Sequence, residues 1–250
     1  MTRSDAGRLG AGTVPVATKP PPPVAEAAHE GRPGRRLQVL AAWAGIVGPV
    51  MVAAYFTMPA LVKMPAVGAP AGELITFANA HKALFYLGGW LQGTGALLSI
   101  AFILVLLQLS GARRTLAGSA TLVGCAVLVS VVAIEAALLE AVPMAAANGD
   151  HATVATTYAL ATGGVFARIY PLGAAPLVFA GIGFALSGTA ILPRIFARSA
   201  LLIAGLFLVA GLVSAFGTAG LILAIVMSVA QAVWIAAAAI AFARSTARTQ

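Results

Sequence analysis

Charge is what this 250-residue chain lacks most: fifteen basic and seven acidic residues make up only 9% of it. An ordinary soluble domain is about 25% charged. With 60% of the chain hydrophobic, so few charges cannot cover the surface of a soluble fold. A polytopic membrane protein follows. Cysteine is nearly absent too. Cys125 stands alone in an apolar run, which excludes an intramolecular disulfide and any cysteine-built metal site. The three histidines are His29, His81 and His151, and no two have the i,i+4 spacing of a helical zinc site. Gly93-Thr94-Gly95 and Gly181-Ile182-Gly183 lack the third glycine of a dinucleotide fingerprint and sit in apolar runs, not after a strand. They read as packing features. No phosphate loop and no nucleophile-elbow serine is present. No cofactor and no metal is expected, and a non-enzymatic role is favoured over catalysis.

The net charge of +8 is distributed as membrane proteins distribute it, not as nucleic-acid binders do. Six of the basic residues fall in the first 36 positions, and most others flank apolar runs. Such residues set orientation and touch lipid headgroups. No basic stripe interleaved with aromatics exists for single-strand binding. The expected partner is the lipid bilayer, with no nucleic acid. Arg outnumbers Lys twelve to three in an Ala- and Gly-rich chain, a composition typical of GC-rich bacteria.

Residues 1–36 read as a disordered, cytoplasmic, Pro-rich tail. Pro20-Pro21-Pro22-Pro23 forbids a helix interior, and the tail has too few large apolar residues for a core. Beyond it, charge-free intervals measure the spans. Twenty-six uncharged residues separate Arg36 from Lys63, 30 separate Lys82 from Arg113, 20 separate Arg114 from Glu135, and 25 separate Arg168 from Arg194. A crossing needs about 20 apolar residues, so each interval holds one helix. The 45 residues between Arg198 and Arg244 would make a helix of about 68 Å. They must fold back, and Phe216-Gly217-Thr218-Ala219-Gly220 is the breaker cluster that predicts the hairpin.

The expected fold class is therefore all-α: a bundle of six transmembrane helices over 37–243. The spans fall near 37–62, 83–109, 116–139, 169–192, 199–216 and 220–243, and 244–250 forms a short cytoplasmic tail. The first run starts too late and is too long for a signal-peptide core, so it reads as a retained span. Pro49 is expected to kink it. With both termini inside, twelve basic residues lie inside and Lys63, Lys82 and Arg168 lie outside, a strong positive-inside bias. The expected location is the bacterial cytoplasmic membrane. Neither outer segment, 63–82 or 143–167, is expected to fold as a domain, so any chemistry belongs in or at the membrane.

Ile191-Leu192-Pro193-Arg194, followed by an apolar span with Gly205 and a last span with Trp234, resembles an uncharacterised bacterial six-span family of unknown function. Its members carry a Leu-x-Pro-Arg element at the inner end of the fourth span, then two apolar spans, the last with a Trp. Ile195 stands where those proteins place an aromatic. The resemblance covers the C-terminal third and implies the six-span architecture without an activity.

Few polar residues lie within the spans, and these are the candidate site. Glu135 is the acid placed well inside a span, whereas Glu140 falls at its boundary. Five residues put the two about 140° apart around a helix, so they form no carboxylate dyad. An acid at that depth costs about 2.5–3.5 kcal/mol at a helix centre, and less near the interface. It should face inward with a partner, Arg168 first, then Lys82 or His81. Either the cluster is a structural ion pair, or it is a proton or cation site. Gln92 and Gln231 read as mid-membrane amides bonded across helices or to a substrate. Gly220, Ala224, Ser228, Ala232 and Ala236, and separately Gly89 and Gly93, make small-residue faces that suit packing within the chain or in a homo- or hetero-oligomer. Three functions remain. A non-enzymatic protein acting through packing or partners leads. A small-solute or proton-linked transporter is the alternative, and a polar cavity reaching Gln92, Gln231 and Glu135 would mark it. A membrane enzyme at the outer face comes third, and would need a paired acid and base.

Overall fold

The computed structural model describes residues 34–162, 173–214 and 218–248. These hold eight α-helices and no strand: α1 (Arg35–Val62), α2 (Ala71–Ala80), α3 (Lys82–Leu109), α4 (Leu116–Ala147), α5 (His151–Thr162), α6 (Ala174–Ser187), α7 (Arg194–Ser214) and α8 (Thr218–Arg248). The Pro-rich tail up to residue 33, Arg168, and Phe216 and Gly217 of the expected hairpin lie outside the described residues.

The chain is an all-helical membrane protein. Helices α1, α3, α4, α7 and α8 are each long and apolar enough to cross a membrane. The described part of the fourth apolar segment is the 14-residue α6. Their outward faces carry side chains that water would not tolerate in such number. Leu40, Trp43, Leu202, Leu212 and Val233 are each 61–68% exposed. A soluble monomer seldom exposes contiguous apolar surface on this scale, whereas lipid tails solvate it.

The six apolar helices form a closed ring in the order α1, α3, α4, α6, α7, α8 and back to α1, each packing on its two neighbours. Glycines let them approach closely. A Cβ on Gly48 of α1 would lie 2.6 Å from the Gly95 carbonyl oxygen of α3, and one on Gly95 would lie 2.8 Å from the Gly48 oxygen. Gly45 brings α1 onto Ala239 of α8, and Gly124 brings α4 onto Val178 of α6. The α6–α7–α8 joint uses an aromatic instead. Trp234 is 5% exposed, meets Phe179 edge-on with centroids 5.3 Å apart, and donates from Nε1 to the Phe196 carbonyl and Ser199 Oγ at 3.2 and 3.0 Å. Burial and hydrogen bonding together fix the register of α7 against α8. Of the small-residue faces, Gly89 meets Ala136 of α4, but a Cβ on Gly93 would meet nothing within 4 Å. The pair Gly89–Gly93 is therefore not one packed face.

Helix ends differ from the apolar intervals because charges mark the lipid boundary and not the end of hydrogen bonding. Helix α1 begins at Arg35 and continues through Pro49. Helix α4 runs past Glu135, Glu140 and Pro143 to Ala147, and α7 starts at Arg194 itself. Helices α7, ending at Ser214, and α8, starting at Thr218, pack on each other.

The larger correction concerns the two segments expected to be loops. They contain α2 and α5, which pack on each other and on the end of α4. Their shared core is Leu74, Ala78, Phe85, Leu139, Val142, Val154, Tyr158 and Ala161. Gly149, at φ +67°, turns the chain between α4 and α5, a conformation that costs glycine nothing. Asp150 then caps α5, accepting the Thr153 amide at 3.0 Å. The result is a small helical cap over one end of the ring. The other end carries Arg113, Arg114, Arg194 and Arg198.

Candidate functional site

A partly open cavity of about 560 Å³ is lined by α1, α3, α4, α5, α6 and α8, within the usual range of about 300–1,000 Å³ for small-molecule sites. Its walls are mainly apolar. Met58, Met64 and Phe85 line it near the cap, and Ile100, Ile103 and Phe179 line it further down. Tyr55, Gln92, Glu135, Ser228 and Gln231 supply its main polar groups, from four different helices.

Three of these converge. The Tyr55 hydroxyl donates to Glu135 Oε1 at 3.2 Å, and Gln92 Nε2 donates to Glu135 Oε2. One residue each from α1, α3 and α4 thus makes a polar clamp. Helix geometry explains the meeting. At 1.5 Å per residue all three lie about 26–30 Å from the arginine-bearing ends of their helices, at one level near the cap. Gly88 and Gly89, one turn from Gln92, leave room for Tyr55 and Ala136. The cavity continues for about 17 Å below Gln92, the rise from Gln92 to Ile103.

Gln92 is 6% exposed. Its orientation follows from the network, because the amide nitrogen must face the carboxylate. Its Oε1 then has no hydrogen-bond partner. A buried carbonyl left in that state costs about 1–3 kcal/mol, and native proteins leave few such groups.

The expected partners of Glu135 fare differently. Gln92 is brought to it, whereas Lys82 and His81 are not. Both are exposed at the junction of α2 and α3, about 15 Å of helix rise from Gln92. Distance along α3 therefore rules out either ion pair. The His81 ring instead stacks on Phe77, with Nδ1 3.1 Å from the Phe77 carbonyl oxygen. Arg168 lies outside the described residues. Gln231 lines the same cavity. Gln92 lies level with Glu135. Glu140 is exposed and takes no part in the clamp. Tyr55 was not singled out from the sequence. A tyrosine inside an apolar run was the available signal, since its hydroxyl needs a partner in hydrocarbon.

Chemically the clamp presents acceptors. Among the described residues no Lys, Arg or His lines the cavity, and no group of three His, Cys, Asp or Glu residues is placed to hold a metal ion. Comparison with protein families, curated proteins and solved structures finds no match to this chain.

Proposed function

We propose that this protein binds a small, largely apolar molecule inside its helical ring and carries it within or across the membrane. The observation that supports this is a cavity that reaches Gln92, Gln231 and Glu135, as the transport reading asked; its walls are mainly apolar where that reading asked for polar ones, which is why the cargo proposed is an apolar molecule. A role through packing or partners asked for small-residue faces turned to lipid. Of the faces named for it, Gly89 packs on Ala136 within the chain, whereas a Cβ on Gly93 would meet nothing within 4 Å, so a packing or partner role through that face stands as the second reading. An enzyme asked for a paired acid and base, and among the described residues the ionisable side chains lining the cavity are Glu135, Tyr55 and Tyr158, an acid with two phenols. The bias of basic residues favours the arginine-bearing end as cytoplasmic and the cap as external, in a bacterial cytoplasmic membrane.

The test uses a neutral, apolar fluorophore. Nile red should bind the full chain in nanodiscs saturably, at one site per protein, above its partition into empty nanodiscs. Ala96 lines the cavity and is 8% exposed. Ala96→Phe should fill the space and remove that binding while leaving the thermal midpoint within a few degrees. Equal binding by both proteins would refute the reading.

A further inference from the structure

We infer that the Tyr55–Gln92–Glu135 clamp recognises the protonated amino group of an amphiphilic amine, a single cationic head on an apolar body. The assignment rests on the cavity being a ligand chamber and names what the chamber takes.

Four observations lead there. First, the clamp offers two acceptors, the Glu135 carboxylate and the Gln92 carbonyl oxygen, and the second is buried without a partner. Second, Tyr55 Oη and one N–H of Gln92 Nε2 already point at Glu135, which leaves at most the second Gln92 N–H for a bound head. An anionic head would find acceptors where it needs donors. Third, no cationic side chain lines the cavity among the described residues. A carboxyl in a low-dielectric setting either takes up a proton or gains a positive counter-charge, and a cationic head is the partner that keeps Glu135 ionised. Fourth, outside the clamp the lining is mostly hydrocarbon, with Met58 and Phe85 on the cap side and Ile103 and Phe179 further down, and Ser99, Ser228 and Gln231 as further polar groups.

A primary ammonium matches these requirements. Its three N–H donors satisfy one Glu135 oxygen and the Gln92 Oε1 and leave one for a further polar group or water. The pairing with Glu135 is charge-assisted, the strongest hydrogen bond available in such a site. A quaternary ammonium supplies the charge but no N–H, so it leaves the Gln92 oxygen as it is. A neutral alcohol supplies one donor and no charge. The ligand is thus ranked by headgroup at constant tail: primary amine, then quaternary ammonium, then alcohol, with carboxylate last.

The experiment is displacement of Nile red from the full chain in phosphatidylcholine nanodiscs by decylamine, decyltrimethylammonium, decanol and decanoate. Empty nanodiscs give the partition background for each compound. Decylamine should compete at least about tenfold better than decanol, since a hydrogen bond to a charged group contributes about 1.5–3 kcal/mol. Glu135→Gln should abolish that preference, and Gln92→Leu should reduce it by a smaller factor. If Glu135→Gln does not fold, the order of the four headgroups on the unaltered protein decides the matter by itself. Equal competition by amine, alcohol and carboxylate would overturn the amine assignment and leave the chamber standing. So would failure of all four compounds to displace Nile red that Ala96→Phe does exclude. Nile red binding that Ala96→Phe leaves unchanged would instead remove the chamber itself, and this inference with it.

Discussion

Changing Gly95 to alanine sets two effects of opposite sign against each other, and the structure decides between them. Alanine has the better helix propensity, by about 0.8–1.0 kcal/mol, which alone would stabilise α3. Sterics oppose it. The new Cβ would stand 2.8 Å from the Gly48 carbonyl oxygen, 2.8 Å from Val52 Cγ2 and 3.1 Å from Met51 Cβ. The carbonyl belongs to the backbone of α1 and cannot rotate away. Reaching an ordinary C···O distance of about 3.3 Å or more requires α1 and α3 to separate by about half an ångström. Overpacking of this kind costs about 1–3 kcal/mol, and the two sub-3.0 Å contacts place Gly95→Ala in the upper half of that range. The net loss is about 1–2 kcal/mol. At about 2–4 °C per kcal/mol for a chain of this size, the thermal midpoint should fall by roughly 2–8 °C. Gly93→Ala is the control. It lies two residues away on the same helix and meets nothing within 4 Å, so propensity acts alone and the midpoint should hold or rise. Cys125 supplies the assay, because the one cysteine of the chain is 4% exposed and reacts with a thiol-reactive fluorophore only on unfolding. If Gly95→Ala is as stable as Gly93→Ala, the close approach of α1 and α3 is wrong.

Glu135→Gln should unfold at a higher temperature than Glu135→Ala, because the amide keeps an acceptor for Tyr55 or Gln92 while alanine strands both donors; the difference should be about 1–3 kcal/mol, and equal midpoints would argue against the clamp. Tyr158 is 1% exposed and its hydroxyl donates to the Pro65 carbonyl at 2.5 Å, so Tyr158→Phe should speed amide exchange in residues 64–70 and α5 without loosening α1 or α3. At the mouth of the cap, the Thr153 hydroxyl and amide hold the Asp150 carboxyl below its usual range. A group depressed in the folded state stabilises above its unfolded value of about 3.9 and loses that contribution as pH falls through the folded value. Protection from exchange in the first turn of α5, relative to the intrinsic rate at each pH, should therefore fall in acid below about pH 4 in the native protein, and Asp150→Ala should flatten that dependence. An unchanged acid profile in the variant would show that the cap residue does not set it.

Most of the ring was legible because membrane helices announce themselves by missing charge. The intervals bounded by Arg36, Lys63, Lys82, Arg113 and Arg114 bracket α1, α3 and the start of α4. What charge cannot mark is where a helix stops once it leaves hydrocarbon. Glu135 and Glu140 looked like the limit of a span, yet α4 continues to Ala147 because its backbone bonds remain internal. The cap was hidden for the same reason. Helices α2 and α5 are 10 and 12 residues long and gain stability by burying Leu74, Ala78 and Tyr158 against α4, a tertiary effect absent from local pattern. Glu135 and Gln92 stood out as polar groups in apolar runs. Their pairing did not, because neighbour order around the ring and the rotation of each helix are set by contacts between helices, such as Gly48 with Gly95, that no single segment encodes. Lys82 and His81 seemed suitable by charge alone, and the length of α3 removes them.

The central claim is that the ring encloses a ligand chamber with Glu135 in its wall. Photolabelling with an alkyl diazirine in nanodiscs, followed by peptide mapping, tests it most directly. The account predicts label that saturates at one site on residues facing inward, such as Met58, Ala96, Ile103 and Leu139, and that disappears in Ala96→Phe. Label confined to the lipid faces at Leu40, Trp43, Leu202 and Leu212, and indifferent to Ala96→Phe, would contradict it.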